Sequence, residues 1–131
     1  MADGDSRLEL PSSPTAAGLA RAFVRRAWSH LESADTLDAV ALCVSELVTN
    51  ALDHATPPYE LRVNRRRGRL RIEVADASVR LPVLQALTPA ALRGRGIFLV
   101  ERTATCWGVD PTRAGKTVWA EFATGRPLKN A

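Results

Sequence analysis

The stretch from Leu37 to Ala55 constrains this chain more than any other, because it is apolar nearly all the way round a helix and yet keeps one polar side. Val40, Val44, Leu47 and Ala51 form one apolar stripe, and Ala41, Val48 and Leu52 form the next. Glu46, Asn50 and His54 recur at a spacing of four residues, so they share the remaining face, with Asp53 beside them. A helix packed by core on most sides cannot leave a carboxylate, an amide and an imidazole unmatched there without cost. A polar ligand or ion is the occupant this face calls for. Taken singly, each residue also has a plainer reading: Glu46 as a surface carboxylate paired with an arginine, Asn50 as a helix-end amide, and His54 as a last-turn residue favoured by the helix dipole.

A chain of 131 residues with 46% hydrophobic content can bury one core, and no composition break suggests a second. A flexible tail is expected over residues 1–12, a single domain over 13–124 and a C-terminal tail over 125–131. Met1-Ala2-Asp3-Gly4-Asp5 lacks the basic-then-apolar order of a secretion signal, and no apolar run approaches a bilayer span, so a cytoplasmic location is expected with no membrane contact. Cys43 and Cys106 lie in separate predicted elements, which suits two reduced thiols better than a bridge or a metal site.

Ser13 as cap and Pro14 as first helical position predict a first helix, with Ala20, Phe23, Val24, Ala27, Trp28 and Leu31 on its apolar side. Asp35 or Thr36 is expected to start the polar-faced second helix, and Thr56-Pro57-Pro58 ends it near Ala55. Residues 59–65 and 69–74 alternate with period two, directing Leu61, Val63, Leu70, Ile72 and Val74 inward and the arginines outward, around an Arg66-Arg67-Gly68 turn. The net charge of +4 gathers partly on this hairpin, but no aromatics interleave with its arginines to stack bases, so direct nucleic-acid binding is not expected.

Residues 77–93, interrupted by Pro82 and Pro89, read as a long loop of the length that often serves as a lid. Gly94-Arg95-Gly96 then precedes the apolar helix start Ile97-Phe98-Leu99-Val100, a junction whose backbone N–H groups and positive helix end suit phosphate. Thr105 to Val109 is followed by a predicted turn at Asp110-Pro111, and Gly115 to Phe122 alternates as a final strand. Trp107 and Trp119 read as sheet packing. Lys116 reads as a strand-end charge in solvent, with phosphate contact as its alternative.

This order of parts resembles the ATP-binding module shared by gyrases, a class of heat-shock chaperones, histidine kinases and MutL, the GHKL or Bergerat fold. The run Ser45-Glu46-Leu47-Val48-Thr49-Asn50-Ala51 with Asp53-His54, then Gly94-Arg95-Gly96-Ile97, Trp107-Gly108 and Gly115-Lys116-Thr117-Val118-Trp119-Ala120, more closely resembles the actinobacterial anti-sigma-factor domains related to the RsbW and SpoIIAB serine kinases. The likeness spans about Thr15 to Thr124. It implies an α/β two-layer sandwich with a mainly antiparallel sheet and helices on one face.

The resemblance also implies roles. Asn50 would ligate a Mg2+ ion bridging the phosphates of ATP, and Glu46 would act as general base. Asp76 would accept from the adenine amino group, with Asp53 and His54 also in the site. Gly94, Arg95, Gly96 and Ile97 would surround the phosphates, and Thr117 would lie near the adenine. The implied function is an anti-sigma regulator acting as a serine/threonine kinase on an anti-anti-sigma partner of the STAS type. A nucleotide-sensitive module that sequesters a sigma factor without catalysis is the alternative, and homodimers are common among such proteins. Here the chain departs from the family in one place: Asp76 is followed by Ala77, Ser78, Val79 and Arg80 where nucleotide-binding members carry Asp-x-Gly-x-Gly, so this loop must take another path.

Overall fold

A computed structural model of the protein describes residues 4–66, 68–78 and 104–123. Two helices, α1 (Ala16–Trp28) and α2 (Ala34–His54), pack on one face of a five-stranded antiparallel sheet, giving the expected two-layer α/β sandwich. The strands are β1 (Gly4–Leu10), β2 (Tyr59–Arg66), β3 (Arg69–Asp76), β4 (Cys106–Pro111) and β5 (Lys116–Ala123), in spatial order β1-β2-β3-β5-β4.

The first difference from expectation lies at the N-terminus. Residues 4–10 are not a loose tail but an edge strand, paired antiparallel with β2 from Gly4↔Arg65 to Leu10↔Tyr59. Leu8 and Leu10 alternate with Arg7 and Glu9, and that period-two signal puts Leu10 into the core while its charged neighbours stay exposed. Arg66 anchors the far end of the pairing through Asp5 at 2.9 Å.

Both helix starts also shift. The first helix begins at Ala16 with Thr15 at the cap position and no side-chain capping bond, so neither Ser13 nor Pro14 opens it. The second is capped by Ser33, whose Oγ accepts from the Thr36 N–H at 3.2 Å, rather than by Asp35 or Thr36. Its C-terminal end falls as the prolines require, and the Tyr59 hydroxyl donates to the Ala55 carbonyl to fix α2 to β2. The Pro57–Pro58 bond between them is cis.

The β2–β3 hairpin forms as the alternation predicts, with Gly68 in the left-handed region at φ 78°. Leu61, Val63, Leu70, Ile72 and Val74 are buried beneath α2, against Val44, Leu47 and Val48. Each such side chain contributes about 1.5–3 kcal/mol by leaving water. One arginine departs from the pattern: Arg65 shares the inward parity of Leu61 and Val63, and it closes the end of the core by pairing with Glu32 at 3.1 Å. The others do lie on the outer face, where carboxylates meet them: Arg62 with Glu60, Arg71 with Glu73 and Glu121, and Arg69 with Glu121.

The last turn is displaced as well. Asp110 and Pro111 belong to β4, and the reversal falls on residues 112–115, closed by the Thr112 N–H donating to the Gly115 carbonyl at 2.9 Å. Trp119 lies on the outer face with its ring where a side chain on Gly108 would stand, and Arg71 stacks on it 4.3 Å from the ring centroid. Trp107 packs against the core from the other face, so both tryptophans are sheet-packing residues. Among the described residues, no helix is long and apolar enough to cross a membrane.

Candidate functional site

The polar side of α2 survives folding as a face of its own. Arg21 donates to Ser45 at 2.8 Å and Arg25 pairs with Asp38 at 3.0 Å, which lays α1 along one flank of α2. Val40, Val44, Leu47 and Ala51 meet the sheet on a second. At about 3.6 residues per turn, Glu46, Asn50 and His54 occupy the third, turned away from α1.

The chemistry on that flank is unsatisfied. The Asn50 Nδ2 is buried and has no hydrogen-bond partner among the described residues. An amide leaves solvent at a cost of about 1–3 kcal/mol when its hydrogen bonds go unmade, so a group without a partner among the described residues is suited to a ligand. Glu46, half-buried one turn earlier, makes no ion pair or hydrogen bond among the described residues. His54 is exposed at the helix end. Asp53 is exposed too, and it lines a cleft of about 410 Å³ with Ser12, Ser13 and Pro14 at the start of α1.

Asp76 ends β3 beside this helix end. The Ala77 N–H donates to the Thr56 carbonyl at 2.8 Å, joining the residue after Asp76 to the residue just beyond α2. The Asp76 side chain is 1% exposed. Its Oδ1 accepts from the Ser78 N–H at 2.8 Å, a local turn that does without the glycines of the family pattern, and its Oδ2 is held by the Lys116 ammonium. Lys116, 8% exposed at its side chain, is therefore neither a solvent charge nor, in this geometry, a phosphate contact.

The sheet register explains the arrangement. Asp76 pairs with Lys116 and Val74 with Val118, so these residues share the helix-facing side. Thr117 pairs with Ala75 and points to the other side, although it is buried. The side chain beside Asp76 on this face is that of Lys116, while Thr117, expected near the adenine, faces the other way. A period-two count from Val118 carried this signal in the sequence. Gly94, Arg95, Gly96 and Ile97 lie outside the described residues, as does the loop before them.

The helix flank with its orphaned amide and the strand-end carboxylate stand on a two-layer α/β sandwich with an antiparallel sheet, the architecture of ATP-binding domains of the GHKL type. The model of the histidine kinase-like ATPase domain matches residues 10–122, and the chain belongs to that family. No curated protein matches it.

A magnesium ion fits the donors present only in part. Among the described residues no cluster of three or more His, Cys, Asp or Glu could hold a metal. The half-buried Asn50 amide can turn to present its oxygen, and one neutral oxygen suits an ion that brings phosphate and water ligands with it.

Proposed function

We propose that this domain is an anti-sigma-type regulator that binds ATP with magnesium and phosphorylates a serine or threonine on an anti-anti-sigma partner of the STAS type. The observation that carries this reading is the pair formed by Asn50 and Glu46: among the described residues, a half-buried amide whose buried Nδ2 has no partner stands one helical turn from a carboxylate that has none.

Asn50 would hold the magnesium ion through its amide oxygen. The chemistry such an ion would supply is positive charge against the phosphates of ATP. Glu46 orients the partner's hydroxyl and takes its proton as the oxygen bonds to the γ-phosphorus. The bond from that phosphorus to the β–γ bridging oxygen breaks, and the electron pair leaves with ADP. His54 follows one turn after Asn50 on this flank, Asp53 faces the cleft at the start of α1 instead, and the Gly94-Arg95-Gly96 junction with Ile97 is assigned to the phosphates from its sequence alone. Asp76 accepts from the purine amino group.

The competing reading is a module that holds a sigma factor in a nucleotide-dependent way without transferring phosphate. Label from γ-32P-ATP separates the two. Transfer to a purified STAS-type partner, lost in Glu46→Gln, is the expected result; binding of ATP and of a sigma factor with no label on any partner overturns the kinase and leaves the binding module.

A further inference from the structure

Lys116 has more to give than Asp76 takes. Its ammonium carries three donors, and among the described residues it makes a single side-chain hydrogen bond, to Asp76 Oδ2. The side chain is 8% exposed, so water does not readily complete the set. A buried ammonium with free donors is costly unless acceptors reach it.

The position is fixed by the backbone. Gly115 approaches the chain at Asp76–Ala77 so closely that a Cβ on it would lie 2.7 Å from the Ala77 Cα. Turn residues 112–115 hold this start of β5, and the register then sets Lys116 opposite Asp76. Asp76 is oriented in turn by the Ser78 N–H on its Oδ1. Each carboxylate oxygen still has a lone pair to offer. The two side chains together present an acceptor and a donor side by side, both directed by their neighbours.

We propose that Lys116 is a second base-reading residue, its ammonium donating to the N1 acceptor of the adenine whose 6-amino group donates to Asp76. This rests on the assignment of Asp76 to the purine made above. Adenine offers donor then acceptor along that edge, which matches the pair. Guanine offers an acceptor at position 6 and a donor at N1, which sets its oxygen against the carboxylate. The ion pair thus selects adenine through direct contacts on the two polar groups that flank C6.

Titration calorimetry of the wild-type chain with ATP and with 1-deaza-ATP, which replaces N1 by a carbon, tests this without any substitution. A charge-assisted hydrogen bond predicts that 1-deaza-ATP binds about ten- to a hundredfold more weakly. GTP is expected to bind at least as weakly. In Lys116→Met the two adenine nucleotides should bind alike. Equal affinity of ATP and 1-deaza-ATP for the wild type overturns the role of Lys116 while leaving the ATP site standing; no binding of either at millimolar concentration overturns the site as well. The wild-type comparison decides even if Lys116→Met does not fold.

Discussion

Gly115 lies against the backbone of Asp76, and this contact leaves no space for a side chain: a Cβ would also fall 2.9 Å from the Ala77 carbonyl carbon. The glycine is required by close approach, since its φ is not in the left-handed region. Backbone cannot yield as a flexible side chain can. Gly115→Ala is therefore expected to cost roughly 1–3 kcal/mol of stability by overpacking, and to displace Lys116 from Asp76. Urea unfolding measures the first effect and nucleotide affinity the second.

Glu46 should matter to chemistry and little to binding. It touches neither the sheet nor α1 through any hydrogen bond, so Glu46→Gln is expected to leave stability within about 0.5 kcal/mol. A lost general base predicts a fall of about 10²–10⁴-fold in phosphate transfer with nearly unchanged ATP affinity. Single-turnover assays beside calorimetry separate the two readouts.

Arg65 and Glu32 form a largely buried ion pair on the α1–α2 side of the sheet, with side chains 13% and 6% exposed. Removing one partner strands the other in a poorly hydrated place. Arg65→Ala should cost about 3 kcal/mol, whereas replacing both residues with apolar ones of similar size should cost less than the sum of the single changes. A double-mutant cycle in denaturant checks this.

Glu121 predicts the direction of acid sensitivity. Burial alone raises its pKa, but hydrogen bonds from Arg71 and Cys106, with the charges of Arg69 and Arg71, outweigh burial and hold it below the ordinary 4.5. The folded state then binds the proton less readily than the unfolded chain, so the contribution is fully present above that ordinary value and is lost as pH falls through the depressed one. Glu121→Gln should be less stable than wild type at neutral pH, and the gap should narrow as pH falls below the ordinary 4.5. Burial and the Glu121 carboxylate push the neighbouring Cys106 thiol up, so it should react slowly with alkylating agents near neutral pH despite its exposure.

Much of this architecture was legible in the residues. The apolar stripes of α2 and the alternation of β2 and β3 are dictated by burial, and burial leaves a periodic trace in sequence. The polar flank at Glu46 and Asn50 was legible for the same reason, as an exception to the stripe. Lys116 was not, because a lysine near a strand end is usually solvated, and only the register with Asp76 makes it a partner. The edge strand at Leu8 and Leu10 was hidden by its brevity: two apolar residues among charges give a weak signal until β2 supplies hydrogen bonds. Arg65 was misread because alternation gives its parity while its charge argues for solvent, and Glu32, distant in sequence, decides between them.

Whether ATP and magnesium meet the Asn50 flank together is tested most directly by calorimetry with ATP, with and without magnesium, on the wild type and on Asn50→Ala. Saturable binding that magnesium strengthens in the wild type and no longer strengthens in Asn50→Ala is the predicted result. Absence of heat with ATP at millimolar concentration, or a magnesium effect unchanged in Asn50→Ala, would contradict it.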